Sequence, residues 1–253
     1  RHSTLFPYTT LFRSAGGLLA DRGAALPFAV ATAVTAATLP ILCLWPPRGA
    51  APAAEVHAEA APAVPPSAGL YLNLARIGNF CSFFAMVSMR ALFPKLGTDL
   101  HLTGGSIGAL IGSVSLAQAV AFMPLARWRR WEYRLAPLIV AEAALMLALL
   151  GIWRASSALL FAPLFAVVGA ACALTYTASL FYSLNRPEDR GKMGAMHEAI
   201  LGSGGVLGPL LGGVLAEHAG VRAPYPLAAA MVAVGVLLQV LLYRHAIRRR
   251  VSP

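Results

Sequence analysis

Long apolar stretches alternate with short basic ones along almost the whole chain. Gly23–Pro47, Leu102–Ala126, Ala155–Asn185 and Ala223–Tyr243 contain no charged residue. Each exceeds the roughly 20 apolar residues a helix needs to cross the hydrocarbon core of a bilayer. Three further stretches are long enough but carry ionisable groups: Ala68–Leu96 with Arg76 and Arg90, Leu135–Trp153 with Glu142, and Met193–Ala216 with His197 and Glu198 near its start. The pattern predicts seven spans and a stub at Ala15–Ala20. Six of the spans follow one another at about 69–94, 103–126, 135–153, 157–183, 194–216 and 224–243. The two-residue alternation of a membrane barrel is not seen, so the expected class is an all-α membrane bundle.

Composition agrees. Hydrophobic residues make up 58% of the chain, charged residues 12%, and the mean hydropathy is +0.69. A net charge of +10 would otherwise invite a nucleic-acid reading, but its placement argues against one. With Leu26–Trp45 ending in the cytoplasm, the loops on that side hold Arg48, Arg127, Arg129, Arg130, Arg134, Arg186, Arg190, Lys192, Arg244, Arg248, Arg249 and Arg250. The opposite side holds only Arg22, Lys95, Arg154 and Arg222. A bias of twelve to four that alternates loop by loop is the positive-inside pattern, which sets orientation. The excess charge is topological, and nucleic acid is not expected as a partner. Cys43, Cys81 and Cys172 stand in apolar spans without C-x-x-C spacing, which predicts core thiols and no metal site.

Two segments interrupt the pattern. Residues 46–68, rich in proline and alanine, are too polar to span and read as a flexible cytoplasmic linker. Thr4–Ser14, TLFPYTTLFRS, resembles the in-frame translation of a sequencing-adapter oligonucleotide, so residues 1–14 are set aside as a non-native segment. Either side of the linker lies an echo: Gly16-Gly17-Leu18-Leu19-Ala20-Asp21-Arg22 answers Gly212-Gly213-Val214-Leu215-Ala216-Glu217-His218. The shift places the helix pair before the linker in register with the last pair of the chain. Two six-helix halves are implied. Residues 15–45 then hold the end of a fifth helix and the sixth, and 69–250 a complete second half. On this reading several upstream helices precede Ala15, and the chain alone is expected to be inactive.

The most specific motif is Gly204-x-x-x-Gly208-Pro209-x-x-Gly212-Gly213. Glycines four apart lie on one helix face and admit a neighbouring backbone, while the proline bends the helix. With these residues, the linker, the helix count and the charge alternation, the chain resembles the major facilitator superfamily. There the pattern G-x-x-x-G-P-x-x-G-G is called the antiporter motif and stands in the fifth helix. Here the intact copy falls in the eleventh, and Gly16-Gly17 is the tail of the fifth-helix copy. The resemblance implies a bundle of two repeated halves working by alternating access. The family's second signature, a basic loop containing Asp, has only a partial counterpart in Ala126–Arg134. That loop keeps the arginines without Gly-x-x-x-Asp and is expected to be solvated and headgroup-facing.

Ionisable groups inside a bilayer are costly, about 2.5–3.5 kcal/mol on insertion scales, so each is a functional candidate. Arg76 lies near Asn73 and Phe80 on its helix, with Asn79 further round. The resemblance places this helix on the central cavity, where Arg76 would meet an anionic solute or counter-ion; the alternative is snorkelling to the interface. His197 and Glu198 read either as a proton-linked pair or as ordinary groups at a helix start. Glu142 is expected to pair with a neighbouring helix, and Arg90 to snorkel outward. Thr175, Tyr176, Thr177, Ser179, Tyr182 and Ser183 make the inner half of their span amphipathic, and Tyr176 and Tyr182 are candidates to contact solute.

The function these features point to is proton-coupled secondary active transport of a small solute by alternating access, with efflux as one direction. No Walker-type loop, H-x-x-x-H or D-x-x-D stands in a span, so the chain reads as no enzyme, with no catalytic residue and no cofactor. The alternatives are a membrane-embedded enzyme acting on lipid-linked substrates and a non-transporting sensor of the same fold. The expected setting is a bacterial inner membrane, with the lipid bilayer and a small molecule as partners, a cytoplasmic C-terminus, and a monomer when full length.

Overall fold

The computed structural model describes residues 65, 67–185 and 190–251, with scattered positions between 25 and 37. Expectations for residues 1–14, for the echo at Gly16-Gly17 and for nearly all of the linker lie outside the described residues. The described positions 26, 29, 30, 32–34, 36 and 37 are helical. Six long helices follow: α1 (Ala68–Asp99), α2 (Gly104–Arg127), α3 (Leu135–Arg154), α4 (Ala158–Leu184), α5 (Arg190–Ala219) and α6 (Pro224–Val251). All six are long and apolar enough to cross a membrane. The fold is therefore an all-helical membrane bundle.

The helices outrun the apolar segments that predict them. Residues 244–251 continue α6 because arginine is a good helix former and its hydrated side chain needs no bilayer. Ends come where the chain supplies a stop. Thr103 accepts the Ser106 amide and caps α2, 3.2 Å away. Gly220, at φ +93, closes α5 in the left-handed region, and Pro224 opens α6.

Short connections make neighbouring spans antiparallel. The packing has an internal symmetry: exchanging α1–α3 with α4–α6 maps the close α1·α5 pair onto α4·α2, and α1·α6 onto α4·α3. The α1·α4 and α3·α6 contacts map onto themselves. Three helices per unit reverse the direction of the second unit, so this is an inverted repeat. α1 and α4 occupy equivalent central positions.

α1 and α5 cross backbone to backbone. Gly204, Gly208 and Gly212 lie in register against Phe80, Phe84 and Ser88. A Cβ at 204 would come within 2.8 Å of the Phe80 carbonyl oxygen, and one at 208 would strike the Phe84 carbonyl. Gly213, on the other side of the motif, faces open space. Pro209, in the middle, cannot donate to the Gly205 carbonyl, which loosens α5 where it meets α1.

Glu142 of α3 is fully buried and pairs with α6. Gln239 Nε2 donates to Glu142 Oε1 at 2.6 Å and to the Leu74 carbonyl at 3.0 Å, tying α3, α6 and α1 together. Gly78 makes the room, since a side chain there would overlap Glu142.

At the end of the bundle that carries Arg127–Arg134 and Arg244–Arg249, here the basic end, an aromatic cluster forms a second core. Tyr71, Trp131, Tyr133, Phe181, Tyr182 and Tyr243 meet there. The solvated loop expected at Ala126–Arg134 is exposed at its arginines and departs from that expectation at Trp131. The loop folds inward through the 3₁₀ turn Arg129–Trp131, buries Trp131, and satisfies its indole N–H on the Leu125 carbonyl at 3.1 Å. Arg129 pairs with Glu132 and lies over the Phe181 ring. A buried indole draws the backbone in while the arginines stay at the surface.

Candidate solute pathway

α1 is packed by α5, α6, α3 and α4 around most of its circumference. Arg76, Phe83 and Arg90, seven residues apart, share the half-buried face that remains. Seven residues rise about 10 Å, so the three side chains mark successive layers along the bundle.

The layer nearest the basic end is polar. Arg76 reaches the Met193 sulfur of α5 at 3.5 Å. His197 of α5 is fully buried, and its Nδ1 shares a 2.9 Å hydrogen bond with Ser179 Oγ of α4. The Tyr176 ring stands edge-on to the imidazole at 5.0 Å. His197 Nε2 is buried and makes no hydrogen bond among the described residues. Asn79 is likewise 0% exposed, with neither amide atom hydrogen-bonded among the described residues. Burying such groups unpaired costs on the order of 1–3 kcal/mol each, so a hydrogen-bonding partner at either would be stabilising.

The middle layer is aromatic. Tyr176 of α4 packs between Phe83 of α1 and Phe122 of α2, with ring centroids 6.1 and 6.0 Å apart. The third layer is a membrane-embedded pair: Arg90 donates to Ser115 Oγ of α2 at 2.7 Å. The Arg90 side chain therefore reaches across to α2 instead of only snorkelling along its own helix. The register is consistent, because Phe83 and Phe122 lie one heptad along α1 and α2 from Arg90 and Ser115, in the sense of an antiparallel pair.

The sequence candidates thus divide. Arg76, Tyr176 and His197 come together at α1, α4 and α5, and Asn79 is buried on α1. Asn73 is exposed near the start of α1, and Glu198 points outward, so α5 turns it away from His197. Tyr182 sits in the aromatic cluster at the basic end, where its hydroxyl accepts the Tyr133 amide at 2.7 Å. Gly204, Gly208 and Gly212 line the α1 crossing, with Pro209 and Gly213 beside it. Arg90, Ser115, Phe83 and Phe122 are additions from the structure. The heptad spacing 76-83-90 was the available signal for the first of them. Among the described residues, no cluster of His, Cys, Asp and Glu is suited to hold a metal.

An inverted repeat of spans carrying a shared polar and aromatic face defines a helical membrane bundle of the kind transporters use. Residues 76–253 match the sequence model of the Major Facilitator Superfamily, most of the chain, and the protein belongs to that superfamily. It is an integral membrane protein of a transporter family. No curated protein matches the chain.

Proposed function

We propose that the protein is a proton-coupled secondary transporter that moves a small solute by alternating access. In this reading the six helices form one half of a two-half machine, with residues 15–45 belonging to the other. The basic end lies in the cytoplasm, following the positive-inside bias. The observation that carries the coupling is His197, buried in the bundle with Nδ1 anchored on Ser179 and Nε2 left to take a proton.

Histidine changes charge near neutral pH, which suits a carrier working across a modest pH gradient. Protonation would place a cation beside Tyr176 and close to Arg76, so each proton bound biases the arrangement of α4 and α5 around the cleft. The flexible crossing at Gly208-Pro209 supplies the pivot, and its antiporter-type pattern favours export. Reconstitution in vesicles holding an entrapped pH-sensitive dye tests this. Adding solutes of either charge should discharge an imposed pH gradient for at least one of them. Solute flux indifferent to the gradient would overturn the coupling.

A further inference from the structure

We infer that the cavity between the start of α3 and the end of α6 binds an anionic phospholipid, with its phosphate at Arg244 and an acyl chain along the exposed apolar sides of both helices. This goes beyond the transport reading and does not depend on it.

The length of α6 sets the depth of the site. Its 28 residues extend about 42 Å, against roughly 30 Å of hydrocarbon, so the turns from Arg244 onward stand at headgroup level. There a cavity of about 420 Å³ opens, lined by Leu135, Val240, Tyr243, Arg244, Ile247 and Arg248. The Glu142–Gln239 bond fixes the register of α3 against α6. Seven residues towards the basic end from each partner stand Leu135 and Ala246, so the exposed Arg134 is level with the arginines of α6. Arg244 is exposed and forms no ion pair among the described residues. Arg248 already interacts within the chain, so the phosphate contact is assigned to Arg244.

The apolar part of the cavity decides between a lipid and a water-soluble anion. Leu135, Val240 and Ile247 flank the guanidinium, and Tyr243 is a residue favoured at the membrane interface. Further into the bilayer α3 exposes Val140 and Leu147, and α6 exposes Val234, Leu237 and Leu241. Leu237 is one heptad from Arg244, about 10 Å along the same side of α6. A phosphate on Arg244 therefore sets an acyl chain against that side, which a soluble anion would leave uncovered. A zwitterionic headgroup would bring its own cation towards Arg244 and Arg134, so a net negative headgroup is the matching one.

The test is native mass spectrometry of the full-length protein in detergent, titrated with phosphatidylglycerol or with phosphatidylcholine of the same chains. Phosphatidylglycerol should bind more tightly. Arg244→Gln should lower its affinity about fivefold, the worth of one basic residue at about 1 kcal/mol, and leave phosphatidylcholine unchanged. Arg244→Lys, which keeps the charge, should retain most of the affinity. Arg127→Gln removes the same charge at the same end, on α2, which does not pack on α6, and should change binding by less than about twofold. Val240→Trp fills the cavity with charge unchanged and should also weaken phosphatidylglycerol several-fold; it carries the test if Arg244→Gln does not fold. Glycerophosphoglycerol, the headgroup without its tails, should not compete at the same concentration. Equal affinity for the two lipids, equal losses in Arg127→Gln and Arg244→Gln, binding indifferent to Val240→Trp, or full competition by the tail-less headgroup each overturns the inference.

Discussion

The α1–α5 crossing allows a sharp contrast within one motif. An alanine at 208 would put its Cβ 3.0 Å from the Phe84 carbonyl carbon and 3.2 Å from its Cα, and closer still to the carbonyl oxygen. Comfortable separations are about 3.5–4.0 Å, so α5 must retreat by roughly 0.5–1 Å or tilt about Pro209. Overpacking of this kind costs about 1–3 kcal/mol. Replacing a helical glycine by alanine returns about 0.8–1.0 kcal/mol of propensity. At Gly213, where nothing lies within 4 Å, only the gain applies. Gly208→Ala should therefore sit about 1–3 kcal/mol below Gly213→Ala. At about 2–4 °C per kcal/mol for a chain of this size, the melting temperatures in nanodiscs should differ by roughly 2–12 °C. Gly208→Ala melting at or above Gly213→Ala would refute the claim that the glycines exist to bring two backbones together.

Other outcomes follow from particular contacts. Gln239→Leu strands Glu142 Oε1 and the Leu74 carbonyl, and should cost about 1–2 kcal/mol in the bilayer by thermal melting; the Glu142→Leu, Gln239→Leu double variant should recover part of the loss. Trp131→Ala removes a buried indole from the aromatic core at the basic end and should cost about 3–5 kcal/mol, read as a lower melting temperature, whereas a solvated loop would tolerate it. Cys81 and Cys172 are buried, so a hydrophilic maleimide should label Val87→Cys, on the half-buried face of α1, several-fold faster than either.

The six spans after the linker were legible in the sequence because membrane insertion imposes one strong constraint, a long uncharged run, and the arginines mark one set of turns. That the glycine face of α5 meets another backbone was legible too, since glycines four apart have few other uses, but its partner α1 was not. The burial of Trp131 in the loop at 126–134 was not. Its arginines advertise solvent, and nothing local shows that Trp131 turns back under α4. Tyr176 and Tyr182 illustrate the same limit. Both lie on one amphipathic helix, but six residues bring about 240° of rotation, so one faces Phe83 and His197 and the other the aromatic cluster. His197 and Glu198 part for the same reason. Arg90 could have been paired with Arg76 by their spacing of fourteen, but its partner Ser115 depends on the α1–α2 register, which no single-helix pattern contains.

The central claim is that His197 couples solute movement to protons. In vesicles, a solute that discharges the pH gradient should be followed in two modes: gradient-driven movement, and exchange at equal pH on both sides. His197→Gln keeps a hydrogen-bonding partner for Ser179 but cannot titrate in this range. The expected result is loss of gradient-driven movement with exchange retained near the unmodified rate. Gradient-driven movement surviving His197→Gln undiminished would contradict the account.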